Sequence, residues 1–204
     1  MLEPDCESKK LSAIHQLTYL IEEKNIEGIL DVVPAYESIA IIFDEAIKNH
    51  LDLINVLNEL PHLKSNNTES KLHRIPVCYE LGIDWEEVMT HTGKSKELII
   101  ETHSAKVYKV AMMGFLPGFV FLEGLEPSIS CPRKSTPRTS IPAGSIGIGG
   151  DQTGIYSLES PGGWNIIGRT PTSFFEVGEK PPTKLRAGDQ IIFTAISKSQ
   201  FEEV

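Results

Sequence analysis

The sequence predicts an α+β protein in two parts, a small helix-strand-strand-helix unit followed by a closed or nearly closed antiparallel β-barrel. Three observations carry that expectation. Leu11, Ile14, Leu17, Thr18 and Ile21 recur at helical spacing, and so do Ile47, Leu51, Ile54 and Leu57 further on. Short runs rich in Val, Ile and Phe, punctuated by turn residues, fill much of the second half of the chain. Eleven of the sixteen glycines and seven of the thirteen prolines fall between positions 114 and 171, which excludes long helices there.

The first helix is expected over residues 8–23, with Lys9, Lys10, Glu22 and Glu23 marking its ends. Gly28 interrupts it. ILDVVPAY and SIAIIFD then read as two short strands joined by a turn around 36–38, with Pro34 favouring an edge because it has no amide to donate. A second helix is expected over 44–60, capped by Asp44 and ended by Pro61. The polar HLKSNNTESK has the composition of a connector, so the expected boundaries are 1–61 for the small unit, 62–71 for the linker and 72–204 for the barrel.

Beyond the connector, LHRIPVCYE reads as a strand. Asp84 is placed to cap a short helix through Met89, Gly93 separates it from a second, and Ser95 caps that one through Thr102. AKVYKVAMM alternates as a strand does. SIGIGG, TGIYSLE and WNIIGRT are further short strands, and DQIIFTAIS is expected to close the chain as the last one.

A chain of 204 residues that is 40% hydrophobic can bury a real core. Its formal charge of -9 argues against binding to nucleic acid or acidic membranes, although a local cluster of arginines can still take a small anion. Cys6, Cys78 and Cys131 are odd in number and outside any CxxC spacing, so neither a disulfide framework nor a zinc knuckle is expected and a reducing cytosol fits best. The polar, acidic opening is unlike a signal peptide, and no apolar run approaches the roughly 18 residues of a membrane helix. A soluble, cytoplasmic protein is the expectation.

Nothing matches the GxxxxGK[ST] phosphate loop. In GSIGIGGDQTG the glycines alternate with Ile146 and Ile148 as along a strand, so Gly147, Gly149 and Gly150 suit the close approach of another backbone or a flat group. The six histidines form no HxxxH or HExxH pattern, and no metal is expected. His103 falls where a helix gives way to a strand, a place where the helix dipole favours the protonated imidazole; catalysis and plain packing are both open to it. Arg133, Arg138 and Arg169 lie beside or near prolines, which stiffen the backbone and suit a guanidinium that grips a carboxylate in bidentate fashion. The alternative is that they pair with Glu123, Glu126, Asp151 or Glu159 to tie loops together. In SPGGW, Gly162 and Gly163 permit a sharp turn that exposes amides, while Trp164 is either a wall of a site or a plug for the barrel end. Gln152 and Tyr156 add neutral hydrogen-bonding groups. Ser160 has no adjacent histidine or acid, so a serine nucleophile has little support.

In order and spacing, GFLPGFVFLEGL, CPRKSTPR, IPAGSIGIGG, QTGIY and SPGGWNIIGRTP resemble the 5-oxoprolinase B-subunit family, also called PxpB, KipI-like proteins or allophanate hydrolase subunit 1. The likeness extends upstream through VPAYESIAIIFD and HRIPVCYE and downstream to AGDQIIF. It implies a small α+β amino-terminal domain followed by a cyclophilin-like antiparallel β-barrel. It also implies partners, a C subunit (PxpC-like) that is a related barrel and an A subunit of the LamB/YcsF type, with which a chain inactive alone opens 5-oxo-L-proline to L-glutamate using ATP. Two further roles occur in the family: a KipI-type inhibitor of a sensor histidine kinase, and a carboxyltransferase component like that of urea carboxylase. The chain has no carrier-type lysine motif, which weighs against the last.

Resemblance and motif together make His103, Arg138 and Arg169 the candidate catalytic residues, with Arg138 or Arg169 holding a carboxylate or phosphate. Arg133, Gln152, Tyr156, Gly162, Gly163 and Trp164 are the candidate substrate-binding residues, with Gln152 and Tyr156 orienting the amide. Members of the family begin with a strand before the first helix, whereas this chain starts almost at the helix. ELGIDWEEV is shorter than the corresponding family loop and lacks its proline, so no role is carried over to it.

Overall fold

Residues 4–46, 49–60 and 70–203 are described by the structure, a computed structural model. The chain falls into two units, Met1–Ser70 and Lys71–Val204. In the first, α1 (Pro4–Glu23) buries Leu11, His15, Thr18 and Ile21, one stripe at helical spacing. Of its two polar members, Thr18 is satisfied locally, because its Oγ1 donates to the Ile14 carbonyl at 2.9 Å. α1 lies against β1 (Ile29–Pro34), which pairs antiparallel with β2 (Ile39–Phe43) through a turn closed by Ala35 N–H donating to Ser38 O.

The second helix departs from the sequence expectation. α2 spans His50–Asn58 and is capped by Asn49, whose side chain accepts from Asp52 N–H at 3.0 Å; the Asp44 carboxylate instead accepts from Ala46 N–H. Only Leu57 of the described members of the expected stripe is half-buried, since Leu51 is 70% exposed and Ile54 40%, whereas Leu53 is buried and Val56 and Leu60 are half-buried. The sequence carries two overlapping apolar stripes, and packing within the unit selects the second. Ile47, Pro61 and positions 62–69 of the connector lie outside the described residues.

In the second unit, β3 (Leu72–Val77) leads into α3 (Trp85–Thr92) and α4 (Lys96–Ser104), then β4 (Val107–Met113) and β5 (Val120–Glu123). Gly93 ends α3 with φ of +65°, and Ser95 caps α4 by accepting from Leu98 N–H. There follow β6 (Arg138–Ile141), β7 (Ser145–Gly149), β8 (Gln152–Ile155), β9 (Ser160–Gly162), β10 (Asn165–Arg169) and β11 (Gln190–Ala195). Seven strands form one sheet in the order β10-β7-β8-β5-β4-β11-β3, and β6 pairs with β9 apart from it. The sheet curls until its ends meet, where Cys78 and Arg169 exchange backbone hydrogen bonds of 2.8 and 3.0 Å.

Two expectations are corrected here. The sheet is mixed, because β11 runs parallel to β3; a parallel pair needs a long crossover, and nearly the whole unit lies between these two strands. The chain does not close on a strand either, since α5 (Lys198–Glu202) follows β11 behind a capping box made by Ser197 and Gln200. Tyr108, Val110, Val120, Leu122, Ile146, Ile148, Ile155 and Ile191 belong to the main core inside the curl. A second cluster, Phe119, Ile141, Tyr156, Trp164 and Ile166, draws on β6 and β10 and on the residues flanking β5 and β8. Among the described residues no helix is long and apolar enough to cross a membrane, and no group of three or more His, Cys, Asp or Glu could hold a metal ion.

Candidate functional site

Trp164 is buried, and its indole lies over β7 and β8 where both carry glycine. A β-carbon on Gly149 would come within 2.7 Å of the indole and one on Gly154 within 2.9 Å, so the flat group that the strand glycines admit is this side chain. Phe119 and Phe121 meet the indole edge-on at 5.6 and 5.8 Å, and Tyr156 meets Phe119 edge-on at 4.8 Å. Gly162 on β9 has no side chain because a β-carbon there would collide with the Tyr156 hydroxyl. Over these rings opens a groove of about 370 Å³, lined also by Phe115, Gly163 and two prolines, with Arg133 and Lys134 as its cations.

The two cations differ. Lys134 Nζ donates to Asp84 at 3.0 Å and to Glu87. The Arg133 guanidinium instead sits 5.5 Å from the centroid of the Trp164 ring, and among the described residues no carboxylate pairs with it. Arg133 and Lys134 also border a second, more open groove of about 530 Å³ that includes Glu86, Glu87 and His91.

Asp84 fixes this wall from behind. It stands at the N-cap position of α3 but makes no side-chain cap bond, and its carboxylate, 3% exposed, turns inward. Arg138 Nη1 and Nη2 donate to its two oxygens at 2.8 and 2.5 Å, Lys134 Nζ adds a third bond, and Ile166 N–H donates a fourth at 2.7 Å. Burial by itself raises the pKa of such a group, but the bonds from Arg138, Ile166 and Lys134, with the Arg138 charge, outweigh burial and hold the carboxyl below its usual range. One carboxylate thereby ties together the start of α3, the segment that carries Arg133, β6 and β10.

The other candidates are placed as follows. Arg138 is engaged by Asp84 rather than by any of the acids expected from the sequence, and it does not line the groove. Arg169, at the far end of β10, donates Nε–H to the Ala143 carbonyl at 2.7 Å, stacks over Phe201 and does not line the groove. Gln152 opens β8 opposite Gly149 and is likewise outside it.

His103 is fully buried, stacked on Phe193 at 4.7 Å. The Thr153 hydroxyl donates to the Gly147 carbonyl, so it accepts from His103 Nε2–H at 3.0 Å, while His103 Nδ1 accepts from the Tyr79 hydroxyl at 2.8 Å. That arrangement requires a neutral ring, and burial pushes its pKa down to about 3. The helix dipole favours protonation, but desolvation outweighs it, and His103 does not line the groove. An unfolded histidine titrates near about 6.5, above the folded value, so His103 contributes stability that is full above that pH and is lost as pH falls toward about 3, at up to roughly 1.4 kcal/mol per pH unit. His103→Gln keeps a donor and an acceptor without titrating. Its Tm is expected to fall less than that of the wild type between about pH 7 and about pH 4.5, and parallel Tm profiles would rule His103 out as the responsible group.

The family of the carboxyltransferase domain, subdomain C and D, matches residues 2–185. The 5-oxoprolinase B subunit of Bacillus subtilis (strain 168) is 39% identical over 202 residues, covering 92% of this chain and 84% of that protein. The chain belongs to the 5-oxoprolinase B-subunit family. The crystal structure of TTHA0988 superposes on this family member with a TM-score of 0.83 and 34% identity, covering 92% of this chain and 37% of that one. The K. lactis urea amidolyase, at 21% identity and a TM-score of 0.67, shares the fold over 95% of this chain and 14% of its own.

In this member of the 5-oxoprolinase B-subunit family, the groove gathers Arg133, Tyr156, Gly162, Gly163 and Trp164 from the sequence candidates and leaves out His103, Arg138, Arg169 and Gln152. Sequence reasoning missed Phe115, Phe119, Phe121 and Lys134 as groove residues and Asp84 as the partner of Lys134. The three phenylalanines were in view in GFLPGFVF, whose aromatic density was the available signal; Asp84 carried no signal beyond that of a helix cap.

Proposed function

We propose that this chain is the B subunit of an ATP-dependent 5-oxoprolinase complex of the cytoplasm, which hydrolyses 5-oxo-L-proline to L-glutamate with formation of ADP and phosphate. Its cyclophilin-like barrel would contribute the aromatic groove as part of a site completed by a C subunit and a LamB/YcsF-type A subunit. The observation that carries this reading is Arg133, a cation without an ion-pair partner among the described residues, set over Trp164 beside an aromatic groove. 5-Oxoproline is a small ring with one carboxylate and one amide. Arg133 suits the carboxylate, the aromatic wall suits the ring, and Tyr156, whose pKa burial raises against the pull of the Trp164 amide, Arg133 and Arg138, keeps its proton for donation to the amide carbonyl.

The described residues do not fit a triphosphate. Of the glycines of GSIGIGG, Gly147 and Gly149 are covered by Trp164, and Lys134 is engaged by Asp84 and Glu87. We therefore assign nucleotide binding to a partner subunit and route no step on this chain through ATP.

Glutamate formation is expected only when all three subunits are mixed with ATP, and turnover by the isolated chain would contradict the reading. In the complete complex Arg133→Ala is expected to lower kcat/KM about 10- to 100-fold, as loss of a charge-assisted hydrogen bond of roughly 1.5–3 kcal/mol requires. A value within about twofold of wild type would remove Arg133 from the site.

A further inference from the structure

Phe115 lines the groove in a backbone conformation that its side chain disfavours. Its φ is +69°, and with Asn25 it is one of two non-glycine residues, among those described, whose φ is positive. A β-carbon crowds the backbone there, a strain that glycine escapes. Burial does not offset the strain, because Phe115 is 67% exposed and meets Phe119 edge-on at 5.6 Å. The loop holds the conformation firmly: Gly114 N–H donates to Phe119 O, Phe119 N–H donates to Leu116 O, and Ser157 Oγ donates to Pro117 O at 2.6 Å. A strained backbone, held rigidly so that a large apolar ring stays open to a cavity, is accounted for by contact with a ligand and not by packing.

We propose that Phe115 contacts the substrate and sets specificity by laying its ring along the apolar edge of the bound lactam, an inference that rests on the 5-oxoprolinase reading above. Hydrolysis breaks the lactam C–N bond, adds one water, and converts a neutral amide into an ammonium and a second carboxylate. The carbon surface formed by Phe115, Phe119 and Phe121 accommodates the ring methylenes of the substrate.

The test uses the complete complex with ATP. Phe115→Ala and Phe115→Gly are each expected to raise KM for 5-oxoproline roughly tenfold and leave kcat within about twofold. Phe115→Gly, which relieves the left-handed conformation, is expected to unfold at the wild-type temperature or above it. An active wild-type complex with KM unmoved in both variants overturns the assignment. So does a Phe115→Gly protein that melts several degrees lower, which would mark a packing residue, and so does loss of co-elution with the partner subunits, which would mark a contact between subunits. A wild-type complex that forms no glutamate overturns the 5-oxoprolinase reading itself, and this proposal with it.

Discussion

Asp84→Ala is expected to destabilise the protein by about 3–5 kcal/mol, seen as a lower urea midpoint at unchanged slope. The size of the effect comes from what the substitution leaves behind. The carboxylate receives four hydrogen bonds in a buried position, two from Arg138, one from Lys134 and one from the Ile166 amide. Its removal strands a buried amide and sets two cations beside each other without their shared anion. Arg138→Ala alone is expected to cost less, since the Arg138 side chain is 29% exposed and Lys134 still neutralises Asp84. The double variant is expected to be less damaging than the sum of the two single ones, and additivity would show that the pair is not coupled. The pH sense follows from the lowered carboxyl pKa. The folded value lies below the unfolded one, so the stabilisation is full above the ordinary Asp range near about 3.9 and disappears as pH falls through the folded value.

Trp164→Ala is expected to lose about 3–5 kcal/mol and, in the assembled complex, activity as well. Truncation uncovers a stretch of strand with no side chains of its own, because Gly149 and Gly154 are bare where the indole rests on them. It removes at once the edge-on partner of Phe119 and Phe121 and the ring on which Arg133 stacks. Gly149→Ala approaches the same contact from the other side: a β-carbon 2.7 Å from three indole atoms must displace Trp164, with an expected destabilisation of about 1–3 kcal/mol and a shifted tryptophan emission. Thermal unfolding checks both variants. A Gly149→Ala protein with wild-type stability and emission would show that the indole does not lie where the structure puts it.

Much of the local architecture was legible in the sequence because its causes are local. Ser95 caps α4 and Gly93 ends α3 by chemistry confined to a few neighbours, and the Gly/Pro density between positions 114 and 171 excludes helices whatever the rest of the chain does. Legibility failed where two local readings competed. Leu51, Ile54 and Leu57 form as good an apolar stripe as Leu53, Val56 and Leu60, and only packing within the small unit decides between them. It failed too for Asp84, where a short acidic side chain before a helix signals a cap and the side chain instead turns to Arg138 on another element.

By itself, then, the sequence determined most of the elements, the Gly93 and Ser95 helix ends and the family, because hydrophobic period, capping chemistry and long motifs are properties of neighbouring residues. The tertiary structure alone decided which arginine is available to a ligand. Arg133, Arg138 and Arg169 look alike in sequence, each near a proline, yet one meets a carboxylate 54 positions earlier in the chain, one a carbonyl 26 positions away, and one the face of an indole. A guanidinium's availability depends on the charges that surround it in space, and those are brought there by strand order and by the curl of the sheet rather than by chain neighbours.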